Sequence, residues 1–239
     1  MLGRIALCAV VVSTVCAGEA SANILTNGGL DSAIPPTLPD NLVYVSPNLH
    51  PGALIGWTIT SGTVDIVPNS YFQAASGNFS VDMVGTPGIG AISRTVPTTP
   101  GETYVLLFDL SFNPLSWLDG DESQDTKRLQ ISATGADGLT LLKSQIYSGT
   151  AGTRTTTDMQ YQHQGFNFTA DGTSTTLKLE ALVPLNLLPG QTGNNIFAGP
   201  VIDNLDLEIS GGATQFPEPS SLSILTASGL LLVRRRRAG

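Results

Sequence analysis

Apolar residues recur at every second position through much of this chain. Tyr104, Leu106, Phe108, Leu110 and Phe112 share one parity; so do Leu129, Ile131 and Ala133, then Phe166 and Phe168, then Leu177, Leu179 and Ala181. Alternate side chains of a strand point to one face, so each set predicts a strand with that face in a core. Further strands are predicted over Thr63–Val67, Phe79–Val84, Ala91–Val96 and Leu139–Leu142. Turn residues bound them: Pro68-Asn69-Ser70, Gly85-Thr86-Pro87-Gly88, Pro97 with Pro100-Gly101, and Ala136-Asp137-Gly138. Many short strands without intervening helices predict an all-β fold, a two-sheet antiparallel β-sandwich. The stretch from Ser32 to Gly56 is Pro-rich and lacks a period, which predicts a long loop. On the last strand, alternation places Val201, Asp203, Leu205, Leu207 and Ile209 on the core face and turns Asn204, Asp206 and Glu208 to solvent. A carboxylate on the core side must be paired, hydrogen-bonded or metal-bound, because burying it alone costs several kcal/mol.

Both ends depart from this pattern. A positive start at Arg4, an apolar run from Ile5 to Cys16 and the small residues Ala20-Ser21-Ala22 form a secretory signal over residues 1–22. Cleavage after Ala22 would start the mature chain at Asn23. An N-terminal membrane anchor is the alternative, although the apolar run falls short of the roughly 20 residues a span takes. Cys8 and Cys16 both lie in the signal, so the body is expected to use no disulfide. The body occupies residues 23–210 and a polar linker residues 211–216. The tail, residues 217–239, begins at Pro217-Glu218-Pro219 and continues through a short apolar run to Arg234, Arg235, Arg236 and Arg237. Four arginines beside an apolar run resist translocation and stay cytoplasmic. A plain tail anchor is the alternative here. The sandwich is thus expected between a signal helix and a short membrane-crossing helix.

The three-part order of Pro-Glu-Pro, short apolar helix and Arg cluster resembles the PEP-CTERM sorting signal. That resemblance implies export, transient anchoring in the inner membrane of a Gram-negative bacterium, and removal of the tail by an exosortase. The body would then reach the outer surface or the extracellular matrix. The body has a resemblance of its own. Asn27-Gly28-Gly29-Leu30-Asp31, Gly56-Trp57, Val64-Asp65-Ile66, Ser76-Gly77-Asn78-Phe79-Ser80-Val81-Asp82, Gly101-Glu102-Thr103-Tyr104, Asn113-Pro114 and Gly199-Pro200-Val201-Ile202-Asp203-Asn204 together resemble the choice-of-anchor C domain. They are similar also to a plant cell-wall group of unknown function and to galactose-binding-like jelly rolls. The jelly-roll resemblance implies a structural Ca²⁺ between the first and last strands. Asp203, Asp31 and backbone carbonyls near Asn27 are its candidate ligands, since Ca²⁺ takes six to eight oxygens in flexible geometry.

Charge narrows the partners. Seventeen Asp or Glu face six Lys or Arg between Asn23 and Gln215, so the body carries eleven net negative charges. Such a field repels nucleic acid and anionic lipid and tolerates neutral sugars. No zinc spacing, nucleophile elbow or phosphate loop occurs, and His50 and His163 stand apart in the sequence. The run Asp119-Gly-Asp121-Glu122-Ser123-Gln124-Asp125 lacks the turn Gly and the final Glu of a calcium loop, so a solvated connection is expected. Trp57 and Trp117 are the candidate sugar-stacking residues. Trp57, which opens a strand, suits core packing better; Trp117 fits either role. These features predict a non-catalytic surface protein that binds carbohydrate, most simply the exopolysaccharide of its own cell. A structural or adhesive spacer without a ligand is the alternative, and a glycan-active enzyme would need two carboxyls about 5–10 Å apart.

Overall fold

The period-two segments are strands. The computed structural model describes residues 23–32, 43–45, 52–85, 88–115, 125–185 and 196–210. Its strands are β1 (Val43–Val45), β2 (Thr58–Ser61), β3 (Val64–Pro68), β4 (Phe79–Asp82), β5 (Val84–Gly85), β6 (Gly88–Ile89), β7 (Ala91–Pro97), β8 (Thr103–Phe112), β9 (Thr126–Thr134), β10 (Leu141–Gly149), β11 (Gln162–Thr169), β12 (Ser174–Leu185) and β13 (Pro200–Ile209). Two antiparallel sheets form the sandwich. One has six strands in the order β1-β3-β4-β13-β8-β11, the other five in the order β10-β9-β12-β7-β2. From β7 onward the chain changes sheet at every connection except the β9–β10 hairpin, which is the jelly-roll path. Among the described residues there is no helix. The signal and sorting segments lie outside the described residues.

The predicted faces meet between the sheets. Tyr104, Leu106, Phe108, Leu110 and Phe112 of β8 are all buried, as are Leu129, Ile131 and Ala133 of β9 and Leu177, Leu179 and Ala181 of β12. They belong to one continuous cluster. Phe108 meets Tyr147 edge-on at 5.1 Å between ring centroids, a favoured aromatic geometry.

Residues 23–28 run beside β13. Ile24 N–H donates to Leu207 O, and Leu205 N–H donates to Gly28 O. The Asn23 side chain accepts from Leu207 N–H and donates to Leu205 O. A Cβ on Gly28 would lie 2.0 Å from Leu205 O, so only glycine permits this approach.

Three sequence expectations are corrected. The supposed loop from Ser32 to Gly56 contains β1, paired with β3, and the buried Leu54. The strand expected over Leu139–Leu142 starts at Leu141, because a tight turn precedes it. On β13 the alternation breaks: the register shifts between Asp203 and Asp206, where Asn204 takes φ 53°. This β-bulge reverses parity. Ile202, Leu205 and Leu207 enter the main core, whereas Val201 joins Val67, Phe72 and Met159 in a second cluster. Asp203, at the parity of Val201, lies on that outer face. Glu208 is buried, not solvent-facing, and Ile209 is exposed.

Candidate functional site

The outer face of the five-stranded sheet is a field of hydroxyl groups. Register aligns three rows across it. Ser144, Ser132, Lys178, Ser93 and Thr58 form one row, and Leu141, Thr134, Thr176 and Thr95 the next. Ile146, Gln130, Glu180, Ala91 and Ser61 form a third. Thr suits such positions because its branched Cβ packs on a pleated surface while its hydroxyl faces water. A groove of about 280 Å³ runs here, lined by Thr60, Ser61, Ser93, Ser132, Thr134, Gly138, Thr176 and Lys178. Cross-strand bonds tie the strands on the same face: Gln130 Nε2 donates to Ser144 Oγ at 2.7 Å, and the Thr95 and Thr176 hydroxyls lie 2.8 Å apart. Lys178 Nζ donates to Glu180 Oε2 at 2.7 Å, so the pair is close to electrically neutral. Among the described residues no aromatic ring lines the groove. Its chemistry is hydrogen bonding in both directions, since each hydroxyl donates once and accepts twice.

The predicted carboxylates sit under loops on the outer face of the six-stranded sheet. Asp203 Oδ2 accepts from the N–H groups of Ala75 and Ser76, at 2.8 and 3.0 Å. Its Oδ1 accepts from Asn204 N–H at 2.6 Å. Asp31 Oδ1 accepts from Asn78 and Phe79, at 2.5 and 3.1 Å. The two carboxylates therefore clasp the turn after β3 from both sides. Gly77 lies between their contacts, at φ +64°, where a Cβ would come 1.9 Å from Asp31 Oδ2. The Asn27 amide is occupied as well. It donates to Ser32 O and Ile55 O and accepts from Ser32 N–H.

The structure brings Asp31 and Asp203 to one turn, as the Ca²⁺ expectation requires, but three of their four carboxylate oxygens accept backbone N–H groups. Among the described residues no group of three or more His, Cys, Asp or Glu is placed to hold a metal. A hard cation needs six to eight oxygens, and this donor set does not fit it. Excess chelator is therefore expected to leave the melting temperature unchanged. Asp31→Ala should cost about 1–2 kcal/mol through the two lost N–H bonds. A marked fall in melting temperature with chelator alone would reinstate the ion.

Deeper in the same face, Asp82 Oδ1 accepts from Val84 N–H and Oδ2 from the Asn113 amide, at 2.9 and 2.6 Å. Asp65 stands directly opposite on β3. Burial above all pushes the Asp82 carboxyl up to about 8, with Asp65 adding to the rise against those hydrogen bonds. The same cause pushes Asp203 up to about 6. Burial, then the charges of Asp203, Asp82 and Asp109, hold the Tyr161 hydroxyl above its usual value, and Ser80 partly offsets them. At the rim, His163 Nδ1 lies 3.0 Å from Asp109 Oδ1, and Asn204 Nδ2 donates to Asp109 Oδ2 at 3.1 Å.

Of the tryptophans, Trp57 is buried in the main core, so its face is closed to a sugar. Trp117 lies outside the described residues, as do His50, Ala22, Pro217, Glu218, Pro219 and Arg234 to Arg237. The groove residues are not legible in the sequence because exposed Ser and Thr carry no local signal. What distinguishes them is shared parity on β7, β9 and β12, legible only once those strands are neighbours.

Among solved structures, the chain is similar to the enzymatically active domain of bacteriophage CBA120 tailspike protein 4, at 12% identity and a TM-score of 0.44. That match covers 79% of this chain and 21% of the tailspike chain, so the chain spans about a fifth of it. It is similar to TmCBM61 in complex with β-1,4-galactotriose, at 11% identity and a TM-score of 0.41 over 80% of this chain and 100% of the other. It is also similar to CBM35 from Paenibacillus barcinonensis, at 18% identity and a TM-score of 0.37 over 65% and 94%. No curated protein sequence matches. The model of one family, described as "Protein of unknown function (DUF642)", matches residues 23–208.

Proposed function

We propose, from the premise that this chain belongs to the DUF642 family, that it is a non-catalytic carbohydrate-binding protein of the bacterial surface or extracellular matrix. In this reading the secretory signal exports it. The tail from Pro217 to Arg237 holds it transiently in the inner membrane until an exosortase removes it, and its ligand is an exopolysaccharide. The supporting observation is the groove across the five-stranded sheet, with hydroxyls in register on neighbouring strands. A sugar polymer presents matching donors and acceptors, and an array fixed by a sheet is ordered before the ligand arrives. One observation favours the second reading, a structural or adhesive spacer: among the described residues no aromatic ring lines the groove.

The purified protein is expected to be retarded in native gels containing a soluble polysaccharide. Hydroxyethylcellulose, β-1,4-galactan and polygalacturonate serve as probes. Thr176→Val with Ser132→Ala should weaken the retardation while leaving the fold intact, because both side chains reach solvent on the sheet surface. Migration unaffected by any probe would favour the spacer. The sorting step has its own readout. Surface-recovered protein whose intact mass still includes Arg234 to Arg237 would exclude tail removal.

A further inference from the structure

The hydroxyl floor has a flank of the opposite character. Leu141 pairs directly with Thr134, so it stands on the groove face beside a lining residue, yet it is 61% exposed. Ile146 pairs with Gln130 on the same face and is 50% exposed. Leu139, next to the lining residue Gly138, is 87% exposed. All three lie on or beside β10, the edge strand of this sheet. Exposed apolar residues on an edge invite aggregation and are commonly replaced by charge. Here the edge keeps three of them, on the side that borders the groove.

The turn that carries Leu139 is fixed in advance. The Asp137 carboxylate accepts from the N–H groups of Leu139 and Thr140, at 2.9 and 2.8 Å, and from the Thr140 hydroxyl at 2.6 Å. Asp171, from the turn before β12, accepts from Ala136 N–H at 3.1 Å. A leucine on a tip held from both sides loses little further freedom on binding, which favours a contact role.

Hydrogen bonds alone give such a groove little affinity, because each sugar hydroxyl exchanges one partner in water for another in protein. Net affinity requires apolar area taken from water. Sugar rings carry C–H faces for that purpose, and among the described residues no aromatic ring lines the groove to meet them. We propose that Leu139, Leu141 and Ile146 form an aliphatic rail that packs on the C–H faces of an uncharged polysaccharide strand lying across the hydroxyl floor. The proposal rests on reading the groove as a carbohydrate site. Charge supports an uncharged occupant: the body carries eleven net negative charges, whereas among the described residues the one charged group lining the groove is Lys178, compensated by Glu180. Five strands give the face a width of roughly 19 Å, enough for a short run of sugar units.

The test compares three proteins in the native-gel assay: the parent, the floor variant Thr176→Val with Ser132→Ala, and the rail variant Leu139→Ser with Leu141→Ser and Ile146→Ser. The rail variant should bind hydroxyethylcellulose or β-1,4-galactan about tenfold or more weakly. Its melting temperature should match the parent's, since these side chains are already exposed. Stronger retardation of the parent by polygalacturonate than by the neutral polymers would overturn the uncharged occupant. Loss of binding in the floor variant with an unaffected rail variant would overturn the rail and leave the groove reading standing. No retardation of the parent by any probe would remove the carbohydrate reading itself. If the rail substitutions only dissolve a dimer on gel filtration, the rail is a contact between copies and the proposal fails.

Discussion

Thermal unfolding followed from pH 4 to pH 9 is expected to record a protein that loses stability as the pH rises. The fully buried Asp82 carboxyl, raised by burial to about 8, is the main cause. In the unfolded chain an aspartate titrates near 4. Between those values the folded chain holds a proton that the unfolded chain has released, so stability falls with each unit of pH. The contribution is complete below about pH 4 and is lost as the pH passes the folded value. The whole shift corresponds to on the order of 5 kcal/mol. Asp203, raised to about 6 chiefly by burial, acts in the same direction over a narrower window. Asp137 works oppositely at the acid end: its hydrogen bonds from Thr140 and Leu139 hold it at about 2, so its contribution is lost as the pH falls toward that value. Asp82→Asn should flatten the slope between pH 5 and pH 8. A melting temperature that climbs over that range, or an Asp82→Asn variant with the parent's slope, would contradict the assignment.

Trp57→Ala is expected to destabilise the protein by about 3–5 kcal/mol, the range for removing a large aromatic from a packed interior. Trp57 is only 4% exposed and packs in the main cluster between the sheets. Among the described residues its indole N–H has no hydrogen-bond partner, and a buried donor left unpaired costs about 1–3 kcal/mol. Trp57→Phe should therefore recover most of the loss, because it keeps the ring and discards that donor. Denaturant melts of the three proteins separate this from a sugar-stacking role. A Trp57→Ala protein as stable as the parent but weaker toward polysaccharide would return the residue to the binding surface.

The legible part of the fold was the part with unbroken alternation. β8, β9 and β12 each carry apolar side chains at one parity, and in each the predicted face is the buried one. β13 misled because a bulge leaves no apolar signature: Asn204 enters the left-handed region, so Val201 and Asp203 before it lie on the opposite face from Leu205 and Leu207 beyond it. Asp203 was rightly expected to need partners. They come from Ala75 and Ser76, more than a hundred residues earlier, and no local pattern encodes them. The segment Leu139–Leu142 read as a strand, but hydrophobicity alone does not distinguish a sheet's inner face from its outer one, so the exposure of Leu139 and Leu141 was not legible. The hydroxyl floor was hidden for a related reason: Ser93, Ser132 and Thr176 are ordinary polar positions until β7, β12 and β9 lie side by side.

The sequence by itself determined the all-β class, the strands with strict alternation and their core faces, because a period of two is a local consequence of backbone geometry. It also determined the acidic charge of the body, which needs only counting. The tertiary structure alone decided which strands are neighbours, where β13 slips its register, and which carboxylates meet backbone N–H groups under the loops. Those outcomes depend on contacts between segments far apart in the chain, whose packing and hydrogen bonding together outweigh local preference.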